Sequence, residues 1–199
     1  FYIFSFLSFF FIIRISTLSL YKVFFFSVTL FLITGKFYHL FFCVSRKNWK
    51  IFQIYFRKTK ESKGIINFIY RCLFIYYRRK NLIELDYNTQ IGPGLYIGHP
   101  YGITINPKAI LGKNCNIHKG VTIGQENRGI RIGTPLIGNE VWIGVNSTIV
   151  GKISIGDDVL IAPNTYVNCD IPSHSIVFGN PCIIKNRENA TEKYINNKI

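Results

Sequence analysis

Methionine is absent from this 199-residue sequence, tryptophan occurs twice, and acidic side chains are scarce, 10 against 24 Lys and Arg. The shortage of acid is uneven. Glu61 stands alone among residues 1–80 against 14 basic residues, a net +13, whereas residues 81–199 hold 10 basic and nine acidic residues. A basic surface limited to one end argues against a whole-chain nucleic-acid binder, and no nucleic-acid partner is expected. No C-x-x-C pair is present. The five cysteines, Cys43, Cys72, Cys115, Cys169 and Cys182, are odd in number and widely spaced, which favours reduced thiols in the cytoplasm over a disulfide framework or a metal site. Uninterrupted apolar runs of membrane-spanning length are missing too. "FYIFSFLSFFFII" and "VFFFSVTLFLITG" are 13 residues each, short of the roughly 20 needed to cross a bilayer, although the window 15–35, with only Lys22, would span if tilted. No small-residue cleavage site of a secretory signal follows. Because no Met is present and Phe1 comes first, the true start is expected outside this sequence.

These features divide the chain into an apolar N-terminal segment (1–45), expected to touch a membrane, and a basic amphipathic helical region (46–81). In the latter, Ile65, Ile69, Cys72, Leu73 and Tyr76 recur at helical spacing and predict a helix near 64–79. Its basic-aromatic stretches "IYFRKTK" and "FIYRCLFIYYRRK" read as solvated helix faces, with phosphate binding as the alternative.

Beyond Leu82 the period changes to six. Ile91, Ile97 and Ile103 form one run; Ile105, Leu111, Ile117 and Ile123 form a second; Ile137, Ile143, Ile149, Ile155, Ile161 and Val167 form a third. Glycine follows at Gly92, Gly98, Gly112, Gly124, Gly138, Gly144 and Gly156. One inward aliphatic and one small corner residue per hexad fit a short strand ending in a tight bend, and three hexads close a triangular coil. Residues 18 apart then stack at about 4.8 Å, burying aliphatics that no single hexad buries alone. On this count Leu111 stacks on residue 129. The predicted fold is mostly β, a parallel β-helix over 82–185 preceded by helices, with a polar tail at 186–199.

The series breaks twice. Two extra residues fall near 98–102, beside His99, and eight are inserted in "GQENRGIRIGTPL", the kind of excursion where binding groups gather. A neutral imidazole is suited to accept a hydroxyl proton near pH 7, which makes His99 the candidate general base.

The stretches "IGPGLYIGHPYGITIN", "VTIGQ", "PLIGNEVWIG" and "DIPSHSIVFGNP" resemble the hexapeptide-repeat acyltransferases, whose fold is a left-handed parallel β-helix. The likeness is greatest to serine O-acetyltransferases and polysaccharide-locus acetyltransferases. It covers about half the chain. The resemblance implies a homotrimer that transfers an acetyl group from acetyl-CoA to a hydroxyl, with no metal. It places His99 as base, partnered by Glu84, or by Asp86 with a two-residue gap, and puts His118 on the site wall as a weaker catalytic candidate. Donor binding is implied for Gly144, Ala162, Gly179 and Lys185, through backbone amides on the later coils and a basic C-terminal segment, with Trp142 near the interface. Acceptor binding is implied for the inserted loop. There the family's Arg-His pair is replaced by Gly133 and Thr134, leaving Arg128 and Arg131 as substitutes. His39 and His174 read as structural.

Serine is the expected acceptor, which would place the protein in cysteine biosynthesis; a sugar hydroxyl of a surface polysaccharide is the alternative. A non-catalytic scaffold with a membrane-binding N-terminus is the rival of another class. A hexapeptide carbonic anhydrase would need three zinc-binding histidines, and only His99 and His118 lie near one another in the repeat.

Overall fold

The computed structural model describes residues 48–196 and 198–199. The apolar segment 1–45, with its membrane expectation, and His39 and Cys43 lie outside the described residues.

Two helices, Asn48–Glu61 and Gly64–Lys80, precede the β region. They lock through aromatic rings: Phe74 packs on Phe52 at 5.3 Å and on Phe56 at 5.8 Å between centroids, and Tyr55 on Tyr77 at 5.4 Å. The second helix buries Phe74 and Tyr77. Its stripe of Ile65, Ile69, Cys72 and Tyr76, the repeat that marks the helix in the sequence, faces outward, with Ile65 72% exposed. Helical spacing identifies a face but not what covers it. No described helix is long and apolar enough to cross a membrane.

Fifteen short strands follow, from Ile83 to Asn186. They form a parallel β-solenoid with three sheets: β1 (Ile83–Glu84), β4 (Ile103–Ile105), β7 (Thr122–Gly124), β10 (Thr148–Val150) and β13 (Tyr166–Val167) in the first; β2 (Gln90–Ile91), β5 (Ile110–Leu111), β8 (Leu136–Ile137) and β11 (Ser154–Ile155) in the second; β3 (Tyr96–Gly98), β6 (Asn116–His118), β9 (Trp142–Ile143), β12 (Val159–Ile161), β14 (Ser175–Phe178) and β15 (Ile183–Asn186) in the third. Each of the first four coils takes one strand from each sheet, and in the fifth a single bridge from Ile171 to Ile155 stands for the second; the inward residues stack in columns such as Ile97, Ile117, Ile143, Ile161 and Val177, all nearly inaccessible.

Register confirms the 18-residue coil and locates both breaks. Thr104 pairs with Thr122 and Leu136 with Ser154, 18 apart. Ile97 pairs with Ile117, 20 apart, which places the two extra residues in the corner between β3 and β4 that holds His99. The eight-residue insertion leaves the prism between β7 and β8. As a result Leu111 stacks on Ile137, not on residue 129, which the loop carries out of the coil.

Corners explain the sequence's glycine and asparagine. Asn114, Glu140, Asp158 and His174 occupy successive turns of one corner at positive φ, as do Asn146 and Asn164 at another. Asn tolerates this backbone better than most residues with a side chain. At the second-to-third-sheet corner, coils come so close that a Cβ on Gly112 would lie 2.5 Å from the Gly138 carbonyl oxygen, and one on Gly92 would lie 2.6 Å from that of Gly112.

Both ends of the parallel ladder are closed. The first helix aims Gln53, Arg57 and Lys60 at carbonyls of the first coil: Gln53 donates to Leu95 O, Arg57 to Ile91 O and Gly92 O, and Lys60 to Thr89 O. At the other end β15 runs antiparallel to β14.

The tail beyond β15 is fastened to the prism. Asp158 accepts hydrogen bonds from Ala190 N, Thr191 N, Thr191 Oγ1 and His174 Nδ1 at 2.6–2.9 Å. Burial alone would raise the Asp158 pKa, but these donors outweigh it and hold the carboxyl below its ordinary range. The tail continues to Tyr194, whose carbonyl accepts from Asn116 Nδ2, and to Ile199, bonded both ways to Asn114. Asp158→Asn is expected to speed hydrogen exchange at the Ala190 and Thr191 amides about 10- to 100-fold, since hydrogen bonds to a charged group are worth about 1.5–3 kcal/mol. For the wild type, the Asp158 contribution persists above the ordinary carboxylate pKa and is lost as pH falls through the lowered value. The His174 pKa is raised, chiefly by Asp158, so its share is complete below about 6.5 and fades as pH rises through the folded value.

Candidate active site

His99 sits at the exposed corner after β3 with φ +54. The neighbouring coil brings His118 beside it. Gly98 pairs with His118, and only a glycine fits there: a Cβ would lie 2.6 Å from the His118 ring. His118 packs against Trp142 at 4.8 Å and Tyr96 at 6.4 Å, and Trp142 against Tyr194 at 5.2 Å. Burial first, and the nearby His99 second, lower the His118 pKa, so its ring is neutral at pH 7. Its buried Nε2 has no hydrogen-bond partner.

Glu84 pairs with Thr104 on the strand that leaves the His99 corner, and Thr104 Oγ1 donates to Glu84 Oε2 at 3.5 Å. Asp86 instead accepts the Asn88 amide at 2.8 Å within its own turn. No hydrogen bond joins either carboxylate to His99 among the described residues. Both acids line a cavity of about 700 Å³ on the first sheet, with Thr104, Asn106, Arg78 and Arg79 around it. The corner at 99–102 reaches this cavity's helical wall through Gly102 N, which donates to Asn81 O at 3.3 Å.

A column of residues climbs the third sheet from this corner: Gly98 pairs with His118, and Gly144, Ala162 and Phe178 are the residues that directly follow the paired Ile143, Ile161 and Val177 on the later coils. Four strand spacings make it about 19 Å long. Three of its residues are Gly or Ala, so few side chains project from the edge between the His118 ring and Phe178. The amides of Gly144 and Ala162 donate to Ile161 O and Val177 O, both at 2.8 Å. They are therefore spent on the ladder, and at Gly144 the next coil leaves no room for a side chain, a Cβ there lying 2.6 Å from Pro163 N. Lys185, on β15, lays its ammonium over Phe178, 5.5 Å from the ring centre, and Gly179 follows at φ +93.

The inserted loop is a hairpin closed by reciprocal Glu126–Gly133 backbone bonds of 3.0 Å. A 3-10 turn, Gly129–Arg131, forms its tip, where Ile130 is 97% exposed. Arg128 and Arg131 are exposed, and Thr134 Oγ1 donates to Lys108 O at 3.1 Å. This hairpin leaves the corner between the first and second sheets, whereas His99 occupies the corner between the third and first. Within one chain the sequence-read acceptor arginines and the base are thus on different edges of the prism. His174 is structural, tied to Asp158.

Comparison with known proteins followed the same lines. A family model described as bacterial transferase hexapeptide (six repeats) matches residues 134–169. Serine acetyltransferase 2 of Arabidopsis thaliana is 36% identical over 99 residues, covering 50% of this chain and 31% of that protein. Serine acetyltransferase of Helicobacter pylori is 35% identical over 97 residues, covering 49% and 57%. The solved serine acetyltransferase of Neisseria gonorrhoeae in complex with serine is 28% identical, with a TM-score of 0.54 over 67% of this chain and 53% of that one. The chain therefore spans less than two thirds of the length of these relatives. Repeat, register and similarity agree that residues 83–186 form a hexapeptide-repeat β-solenoid resembling that of the serine acetyltransferases.

Proposed function

We propose that the protein is an acetyl-CoA-dependent O-acetyltransferase that acetylates L-serine, giving O-acetylserine and CoA. The observation that carries this reading is His99, an exposed imidazole on the two-residue bulge at the foot of the third-sheet edge that leads to Lys185. His99 takes the acceptor hydroxyl proton as the oxygen attacks the thioester carbonyl, and CoA leaves as the thiol. The column accommodates the donor's arm, with Lys185 near its phosphate end. His118 forms the wall beside the base, and Glu84 is the better placed acid because Asp86 is committed to its turn.

The different edges occupied by His99 and the hairpin support a homotrimer, in which a loop from one copy reaches the His99 of the next. The exposed Ile130 at the loop tip favours that contact. A cytoplasmic place in cysteine biosynthesis follows from the serine reaction. The outward stripe of Ile65, Ile69 and Tyr76, ending in Arg79 and Lys80, supports peripheral contact of the helical pair with an anionic lipid surface.

Purified protein given acetyl-CoA and serine should release CoA thiol in a serine-dependent, saturable manner; release with neutral sugars but not serine would move the acceptor to a polysaccharide. A serine carboxylate needs a cation, and charge-assisted bonds to Arg are worth about 1.5–3 kcal/mol. Arg128→Ala or Arg131→Ala is therefore expected to raise the KM for serine about tenfold or more. A double variant with unchanged KM would remove the loop from acceptor binding.

A further inference from the structure

Two thiols meet where the solenoid ends. Cys169 follows β13, in the last first-to-second-sheet corner, and Cys182 closes the turn 179–182 between β14 and β15. Their sulfurs lie 3.6 Å apart, and both residues are partly exposed. The backbone holds them in this relation: Tyr166 N donates to Gly179 O at 3.2 Å, joining the turn to the coil that carries Cys169. The other described cysteines differ in kind. Cys115 is fully buried, and burial pushes its thiol up to about 12, which makes it inert. Cys72 is exposed on the second helix.

We propose that Cys169 and Cys182 are a modification site, an oxidisable pair that a peroxide converts to an intramolecular disulfide stapling the 179–182 turn to the last coil. Closing from 3.6 Å to the bond length of about 2.05 Å needs a movement of about 1.5 Å, within reach of side-chain rotation and slight adjustment of a surface turn. Burial first, then the adjacent Cys182, hold the Cys169 thiol above its ordinary range, with Arg131 of the inserted hairpin opposing them. Cys182, on the surface turn between β14 and β15, is taken as the first nucleophile. Its thiolate displaces hydroxide from the peroxide, breaking the O–O bond and forming a sulfenic acid. The Cys169 sulfur then attacks the sulfenic sulfur, the S–S bond forms, and the departing hydroxide takes the Cys169 proton as water. The two thiols lose two electrons and two hydrogens, and the peroxide is reduced to two waters. In a reducing cytoplasm the pair rests as the dithiol and returns to it by thiol exchange.

This inference does not depend on the proposed transferase activity, because its measurement is chemical. Reduced full-length protein would be treated with hydrogen peroxide near stoichiometry, blocked with iodoacetamide under denaturing conditions, digested and analysed by mass spectrometry. The expected result is a cross-linked peptide pair joining Cys169 to Cys182, with Cys72 and Cys115 alkylated, and full reversal by a dithiol reductant. The oxidised protein should melt roughly 5–10 °C higher than the reduced form, as befits a clamp on a short loop. Cys169→Ser and Cys182→Ser should each abolish the cross-link, and Cys169→Ser should leave a trappable sulfenic acid at Cys182. Protein unfolded before oxidation should lose the preference for this pair. The inference is overturned if peroxide oxidises Cys72 without producing the cross-link, if intermolecular disulfides form instead, or if the unfolded chain forms the same pair equally well.

Discussion

His99→Asn is expected to lower kcat by about 10²- to 10⁴-fold, the usual contribution of a positioned general base, with little change in melting temperature. Asparagine is the informative replacement because the residue sits at φ +54, where Asn is at ease and no new backbone strain confuses the result. It retains a polar, uncharged side chain but has no basic nitrogen. His99 is exposed, so nothing in the core moves when it goes. Glu84→Gln should cost less, since it acts through the ring, and His118→Ala less again. Steady-state rates at saturating acetyl-CoA and serine, with circular dichroism as the fold control, make the measurement. Near-normal turnover would remove His99 from the chemistry.

Gly112→Val should be among the most damaging conservative-looking changes in the prism. Its Cβ would stand 2.5 Å from the Gly138 carbonyl oxygen and 2.6 Å from Asn139 Oδ1, and the first of these is backbone on the next coil. Ordinary over-packing costs about 1–3 kcal/mol because side chains can yield. Here a coil must yield, and the same corner repeats above at Gly138 and below at Gly92, so the strain spreads along the column. A fall in melting temperature of roughly 10 °C or more is expected. Gly124→Ala is the matched control: its Cβ meets a methyl group of Val150 at 3.2 Å, a flexible neighbour, and should cost little. Equal melting of the two variants would contradict close coil contact at that corner.

Much of the architecture was legible because the hexad sets a single period that one inward column must obey. The same periodicity located both excursions, and the register puts them where the count breaks. What lay beyond the count was misjudged or missed. The insertion shifts the stack by eight, so residue 129 never enters the column that Leu111 shares with Ile137. The apolar stripe of the second helix was read correctly as a face, yet Phe74 and Tyr77 on the opposite side are buried, because aromatic fit to the first helix decides which side turns inward. The resemblance implied donor-binding amides on the later coils, and those of Gly144 and Ala162 are used by the ladder. Tail residues 186–199 read only as polar, since nothing local shows that Asp158, some 30 residues earlier, gathers Ala190 and Thr191. The proximity of Cys169 and Cys182 was likewise invisible to spacing rules, which look for two intervening residues rather than a turn around the end of a solenoid.

A ladder of parallel strands is in principle endless, since the last coil offers the next the same bonds it received. This chain refuses that extension at both ends. Gln53, Arg57 and Lys60 occupy first-coil carbonyls with side-chain donors, and β15 turns back so that the outermost strand runs against the direction an added coil would need. Growth into a fibre is thereby barred by the polarity of the final strand rather than by charge. The flanks of the prism carry no such cap among the described residues, and contacts made side by side can close into a ring of fixed size, whereas end-to-end stacking has no natural stopping point.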